Sequence, residues 1–510
     1  MSLINIENLS HANGGKILYK NATVRINKGE HLALIGTNGT GKTTLLSIIY
    51  GKITPDEGMI DLQPKVKIAY LDQHQELDGS LTVDQFLKLT YQHLFDIEQR
   101  IYDIYEKMSA NYDEDKLVKA LKLQEHLDQN GFETIDKEIR SLVDGLGIDP
   151  TRLDAKLSEL SGGQRGKVIL AKLLLSENDF LLLDEPTNFL DLEQVEWLAK
   201  FLQSYDKAFL VVSHDIDFIN KVGKVIYAIE NLTVNRYVGN YQQYLALSEL
   251  KNEQYDKAQK GQERLIKKLE TYVAKNKARA STAKSAQSRQ KQIDKMEIIE
   301  KRYELTKPKF SFKYKRPAST IIVSAEKLEI GYQFPLIQPL TFDIRDGEKC
   351  IVRGYNGIGK TTFLNTLAGN IPSLGGTLKL GNGVVIAYFH QIEAIMDMTP
   401  IEYLKNLYPE LEDGRIRSIL ANFGVKSTLM QNQMIKLSGG EQTKVRLSAL
   451  SLEPCSLLIL DEPTNHIDVL AKEALLEAIQ AFEGTVLITT HDINFNVNWA
   501  DKVLDFEKMI

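Results

Sequence analysis

The sequence predicts an α/β chain made of two copies of one domain, and three observations carry the prediction. Four segments recur in the same order in both halves. Each half contains short, continuously apolar runs such as HLALIG, FLLLD and AFLVVS, the pattern of strands buried on both faces of a parallel sheet. One run in each half leads through a glycine-rich loop into a helical stretch.

The repeats define the organisation. LALIGTNGTGKTTLL at 32–46 returns as CIVRGYNGIGKTTFL at 350–364, and FLLLDEPTNFLD at 180–191 returns as LLILDEPTNHID at 457–468. LSGGQ at 160–164 returns as LSGGE at 437–441, and LVVSHD at 210–215 as LITTHD at 487–492. Boundaries follow at 1–240 and 319–510 for the two copies, with 241–318 between them. The copies differ by an insertion, since Gln73 to Ser161 spans 88 positions and Gln391 to Ser438 spans 47. The extra residues lie at about 82–130, where Leu87, Leu94, Ile97, Ile101 and Ile104 recur at helical spacing with no proline or glycine before Gly131. A projecting helical arm is expected there; a larger local subdomain is the plainer alternative.

Bulk composition narrows the class. The 43% hydrophobic and 25% charged content of the 510 residues is that of a globular protein. Cys350 and Cys455 have no metal-ligand company, so neither a disulfide framework nor a zinc site is expected, which fits a reducing cytoplasm. The first residues lack the apolar core of a signal peptide, and no run approaches the ~18 apolar residues of a membrane span. Any membrane role would need a partner subunit.

The glycine loops specify phosphate chemistry. Gly36, Gly41, Lys42 and Thr43, and again Gly354, Gly359, Lys360 and Thr361, fit G-x-x-x-x-G-K-[ST] between a strand and a helix. Such a loop turns its backbone N–H groups toward phosphates at a helix N-terminus. Asn38, Gly39 and Thr44, with Asn356, Gly357 and Thr362, complete the two expected cradles. The lysines reach for the β- and γ-phosphates, and Thr43 and Thr361 for Mg²⁺. Asp184 and Asp461, at the ends of apolar strands, are the expected carboxylates for that ion. Glu185 and Glu462 are placed to polarise an attacking water. Gln73 and Gln391 can contact metal and water, and His214 and His491 the γ-phosphate.

These motifs resemble the ATP-binding-cassette superfamily over nearly all of 1–230 and 320–510, and LSGGQ and LSGGE are similar to its signature. The resemblance implies that each signature binds the nucleotide of the opposite cassette. Ser438, Gly439 and Gly440 would then face Lys42, and Ser161, Gly162 and Gly163 would face Lys360. ATP would hold the halves together and hydrolysis would release them, within a single monomeric chain. The family stacks adenine on an aromatic residue before the loop. Tyr332 matches that role in the second half, whereas Asn13, with His11 nearby, stands at the first.

The intervening segment selects among cassette proteins. Residues 241–273 have no proline and one glycine, which predicts a long helix of roughly 50 Å. A small-residue turn and a returning helix follow. Residues 251–318 hold 20 Lys and Arg against 8 Asp and Glu, while the whole chain has a net charge of -6. A basic prong on an otherwise acidic protein is the footprint of a polyanion partner, a solvated linker being the blander reading. Lys275, Lys277, Arg279, Lys284, Arg289 and Lys291 are the expected RNA contacts. This plan resembles the ABC-F translation factors: two tandem cassettes, an arm in the first, a basic helical hairpin linker and no membrane part. The resemblance implies binding of the ATP-closed form to the ribosomal tRNA-exit site, with the linker reaching the peptidyl-site tRNA. The modest linker favours a housekeeping factor, with ribosome protection against antibiotics as the alternative. A tandem ATPase subunit of a sugar importer is the rival from another class, and a DNA-repair ATPase is disfavoured for want of zinc sites or long coiled coils.

Overall fold

Apolar strands of period two, with helices on either side, organise both repeats. The computed structural model describes all residues except 1, 14–15, 38, 72–77, 111–112, 277–279, 297–306, 392–396, 466, 491–498 and 510. Asn38, Gln73, Lys277, Arg279 and His491 therefore lie outside the described residues. The first repeat contains strands β1 (Ser2–Asn13), β2 (Lys16–Asn27), β3 (His31–Ile35), β4 (Glu57–Leu62), β5 (Ile68–Leu71), β6 (Phe180–Asp184), β7 (Ala208–Val212), β8 (Val225–Glu230) and β9 (Thr233–Val238). Six of them form a sheet in the order β5-β6-β7-β3-β8-β9, parallel except for the β8–β9 pair. A smaller antiparallel sheet runs β2-β1-β4.

Helices α1 (Lys42–Tyr50), α2 (Val83–Lys88), α3 (Gln92–Ala110), α4 (Glu114–Gln129), α5 (Ile135–Gly145), α6 (Gly162–Leu175), α7 (Leu192–Gln203) and α8 (Ile216–Val222) complete the first repeat. Alternate residues of one strand serve two cores. Phe180 and Leu182 pack with α1 and the small sheet, while Leu181 and Leu183 pack with α6 and α7. Each such side chain contributes about 1.5–3 kcal/mol by leaving water, which is why the runs are apolar without interruption. The 82–130 stretch contains α3 and α4, which pack on each other through Leu94, Ile101 and Leu127. Tyr102, Tyr105, Val118 and Leu121 remain exposed on them.

The connecting segment forms α9 (Tyr241–Asn276) and α10 (Ala280–Asp294). At 36 residues α9 is about 54 Å long. Leu269 and Ala286 are buried on the two helices, and the Arg289 guanidinium lies 4.4 Å over the Tyr272 ring. The base of α9 is tied to the sheet by Glu230, which accepts from the hydroxyls of Tyr237 (2.9 Å), Tyr244 (2.9 Å) and Ser248 (2.8 Å).

The second repeat follows the same plan with β10 (Ile321–Glu329), β11 (Leu340–Arg345), β12 (Lys349–Arg353), β13 (Gly375–Leu380), β14 (Ile386–Phe389), β15 (Leu457–Asp461), β16 (Thr485–Thr489) and β17 (Lys502–Asp505). Its helices are α11 (Lys360–Leu367), α12 (Pro400–Leu407), α13 (Asp413–Asn422), α14 (Gly439–Leu450) and α15 (Val469–Ala481). The parallel sheet runs β14-β15-β16-β12-β17, and β11-β10-β13 forms the small antiparallel one.

One close approach in the first repeat is tight enough to test. A Cβ on Gly145 would sit 1.9 Å from Cε2 of Trp197, a ring stacked 5.5 Å from Phe201. Gly145→Ala should displace Trp197, shift its fluorescence and destabilise the repeat by about 1–3 kcal/mol in urea unfolding. An unchanged emission and midpoint would contradict the packing.

Candidate functional site

The parallel order places the chemistry at one end of three neighbouring strands. In the first repeat β6, β7 and β3 are adjacent, and their C-terminal ends carry Asp184 and Glu185, His214, and the loop Gly36–Gly41. In the second, β15, β16 and β12 carry Asp461 and Glu462 and the loop Gly354–Gly359. Ligands collect at such carboxyl ends because the strands leave a crevice there.

Each loop is shaped for an anion. Gly41 and Gly359 cap α1 and α11 with φ of 98° and 111°, and no side chain caps either helix. That left-handed geometry favours glycine, and at Gly41 a Cβ would meet the Tyr19 hydroxyl at 2.5 Å. The Tyr19 hydroxyl donates to the Gly41 carbonyl and braces the turn. The first-turn N–H groups thus face outward without a capping oxygen, ready for phosphate. Lys42 Nζ donates to Gly36 O at 2.8 Å, and Lys360 Nζ to Gly354 O at 2.6 Å. Both ammoniums are buried within their loops; burial lowers their pKa, against the pull of Glu185 and Asp184 on Lys42 and of Glu462 and Asp461 on Lys360. Thr43 and Thr361 are exposed at the mouths, Thr44 is half-buried and Thr362 buried. Gly39, Asn356 and Gly357 lie on the exposed outer turns.

The acidic pairs carry a matched strain. Glu185 and Glu462 both have φ of 49°, a conformation that costs a non-glycine residue about 1–3 kcal/mol. Backbone bonds to the neighbouring strand hold them there: Glu185 N–H donates to Val212 O at 2.9 Å, and Glu462 N–H to Thr489 Oγ1 at 3.0 Å. Glu185 faces His214, whose Nε2 is 3.3 Å from Oε1 and whose backbone N–H donates to Oε2 at 3.2 Å. Burial pushes the Glu185 carboxyl up to about 7, Lys42 pulling it down and Asp184 adding to the rise. Asp461 Oδ1 accepts from Thr489 Oγ1 at 2.7 Å, while its buried Oδ2 has no hydrogen-bond partner among the described residues. An oxygen left open beside a phosphate loop fits a hard divalent cation. No cluster of three His, Cys, Asp or Glu stands ready to hold a metal alone among the described residues, so phosphates and water would have to complete the shell. Gln391 is exposed two positions beyond Phe389, which pairs with Leu460 beside Asp461.

The repeats meet head to tail. Ser161 and Ser438 cap their signature helices in reciprocal boxes with Gln164 and Glu441. The second signature lies over the first loop: Glu441 Oε1 comes within 3.6 Å of where a Cβ on Gly39 would stand. Gly162 and Gly163 leave open space on the first signature. Asp468 acts on Lys42 across the divide, and Asp191 acts on Lys360. Lys472 of α15 reaches the His214 carbonyl at 3.5 Å. These crossing residues were not singled out from the sequence; the one signal was the aspartate that closes both DEPTN segments. Tyr332 stands 71% exposed before the second loop. Phe189, where the second repeat has His466 in sequence, packs on Gly166, where a Cβ would meet its ring at 2.6 Å; the second repeat has Thr443 at the matching helix position.

Residues 19–188 and 337–465 match the family model described as ABC transporter, and 227–312 match a further model of the same description. An uncharacterized ABC transporter ATP-binding protein, YfmM of Bacillus subtilis (strain 168), is 41% identical over 512 residues, covering 99% of each chain. ABC transporter F family member 5 of Arabidopsis thaliana is 30% identical over 524 residues, 99% of this chain and 75% of that one. Probable ATP-binding protein YheS of Escherichia coli (strain K12) is 31% identical over 494 residues, 96% of this chain and 76% of that one. Among solved structures, the archaeal ribosome recycling factor aABCE1, in complex with the ribosomal stalk protein aP1, superposes with a TM-score of 0.61 over 98% of this chain and 87% of that one. At 21% identity that likeness speaks for the fold. Two tandem cassettes with intact phosphate loops and acidic pairs place this chain in the ATP-binding-cassette family, as an ABC-F ATPase. No described helix is long and apolar enough to cross a membrane.

Glu185→Gln with Glu462→Gln keeps shape and removes charge. ATP turnover should fall by about 10²–10⁴-fold while ATP binding persists. Turnover within about threefold of the unaltered chain would exclude both glutamates from the chemistry.

Proposed function

We propose that this ATPase binds the ribosome in its ATP-closed form, at the tRNA-exit site, and directs the α9–α10 hairpin toward the peptidyl-site tRNA to tune or rescue translation. The observation that carries the reading is the segregation of charge. Residues 251–318 hold 20 basic against 8 acidic side chains in a chain of net charge -6. Lys275, Lys284, Arg289 and Lys291 are all exposed on the two helices, so the charge is presented outward. A helical prong of that length and sign suits a nucleic-acid backbone, whose counterions it would release. Two fold neighbours, an archaeal ribosome recycling factor and a ribosome-bound archaeal ABCE1, point to the same class of partner.

Within this reading each residue has a task. The loop N–H groups and Lys42 or Lys360 bind and orient the triphosphate. Thr43 with Asp184, and Thr361 with Asp461, would hold Mg²⁺, which when bound neutralises charge on the phosphates. Glu185 and Glu462 accept a proton from the attacking water, and His214 orients Glu185 through its 3.3 Å contact. Ser438, Gly439 and Gly440 close over the first nucleotide, and Ser161, Gly162 and Gly163 over the second. Loss of the γ-phosphate removes the shared ligand, the repeats part, and the factor leaves. Gln73, Gln391 and His491 are assigned by the same logic to water, metal and γ-phosphate.

Replacing Lys275, Lys284, Arg289 and Lys291 with Ala should leave ATP turnover without ribosomes unchanged and weaken sedimentation with ribosomes in ATP. The slope of log affinity against log salt should flatten by about 0.7–0.9 for each phosphate that the altered hairpin no longer neutralises. Equal affinity and slope would return the hairpin to the role of a linker.

A further inference from the structure

The repeats do not offer each other the same side chains. Helix α15 of the second repeat starts from a fixed base. Its cap, Asp468, accepts from Ala471 N–H at 2.9 Å and pairs with Lys444 of the signature helix at 2.8 Å, the lysine 9% and the aspartate 11% exposed. One turn further on, Lys472 Nζ crosses to the first repeat and donates to the His214 carbonyl at 3.5 Å. At the matching position of α7, four residues after Asp191, the first repeat has Val195. A valine side chain has neither charge nor donor. The first site therefore receives an ammonium from the opposite helix that the second does not receive at that position.

The point of contact is what gives this lysine a role. His214 holds both oxygens of Glu185, its backbone N–H donating to Oε2 at 3.2 Å and its Nε2 standing 3.3 Å from Oε1. Lys472 thus grips, by its carbonyl, the residue that grips the glutamate. An ammonium-to-carbonyl bond is charge-assisted and directional, so it fixes that peptide better than apolar contact would. The charge acts on the glutamate as well. Burial pushes the Glu185 carboxyl up, Lys42 pulls it down, Asp184 adds to the rise, and the His214 N–H and Lys472 pull it down further. Because Lys472 and His214 sit on different repeats, the bond exists while the repeats are joined and is lost when they part.

We propose that Lys472 is a positioning residue supplied by the second repeat: through the His214 carbonyl it sets His214 and Glu185 for the attacking water, and so ties hydrolysis at the first site, more than at the second, to closure. This rests on Glu185 serving the water at the first site. Lys472→Met keeps the stem and removes the charge, and Lys472→Arg keeps the charge. In the full chain carrying Glu462→Gln, where the first site alone keeps its glutamate, Lys472→Met should lower kcat for ATP about 10–100-fold with KM within about threefold. Lys472→Arg should recover most of that loss. Once Glu185→Gln is present, adding Lys472→Met should cost less than about threefold more, as for two residues that act as one unit. Hydrogen exchange reads the same contact without turnover. In the ATP-loaded chain carrying both glutamine substitutions, Lys472→Met should speed exchange of the 213–215 amides and Lys472→Arg should not. An unchanged kcat beside Glu462→Gln, an equal loss with and without Glu185, or exchange at 213–215 indifferent to Lys472→Met would each overturn the role. Should Glu462→Gln by itself silence turnover, the exchange measurement decides. Turnover in the Glu462→Gln chain that survives the addition of Glu185→Gln would instead remove the glutamate reading beneath it.

Discussion

In the proposed mechanism each nucleotide site is split between the two repeats, and closure brings charges together across the divide. Asp468 raises the pKa of Lys42 and Asp191 that of Lys360, one electrostatic influence in each direction. The meeting is not all attractive. Closure also brings Lys426 of the second repeat toward Lys16 of the first, with Glu441 only partly offsetting them. Cations converging on an anion-shaped loop are held best with a polyanion between them, because a unit charge pair at ~4 Å is worth about 1–4 kcal/mol near a protein surface. In the proposed mechanism the triphosphate completes the interface, and its hydrolysis would weaken the joint.

The first phosphate loop lies close to the root of the prong. The first loop leaves β3, which pairs with β8, and a Cβ on Gly36 would touch Ile229 of β8 at 3.4 Å. The next residue is Glu230, whose carboxylate gathers the hydroxyls of Tyr237, Tyr244 and Ser248 at the root of α9. A carboxylate that gathers three hydroxyls fixes the root more firmly than apolar packing alone, since charge-assisted bonds are short and directional. At the far end of the segment Lys307 pairs with Glu477 at 2.8 Å on α15 of the second repeat. The connecting segment is thus rooted in the first repeat at α9 and paired with the second at Lys307.

Much of this was legible in the sequence because it is local. Strands such as FLLLD declare themselves by unbroken apolarity, and the loops by glycine spacing that few other structures need. The long helix from Tyr241 showed itself by the absence of proline and near absence of glycine. What stayed hidden is contact between residues hundreds of positions apart. Lys16 carries no motif, Glu441 sits in LSGGE without showing what it would meet, Lys472 is an ordinary helix residue until its partner is seen, and nothing in the sequence ties Glu230 to the hydroxyls of Tyr237, Tyr244 and Ser248. Nor does the sequence tie Phe189 to Gly166, a glycine within a helix whose space the ring fills.

The most direct test is the distance between the repeats. Spin labels at exposed Lys20 and Lys436, one on each repeat, can be measured by pulsed electron resonance with ATP, with ADP and without nucleotide. The account predicts a single short, narrow distance with ATP in the chain carrying Glu185→Gln and Glu462→Gln, and a longer, broader one with ADP. The same distribution in all three conditions would contradict the idea that nucleotide joins the halves.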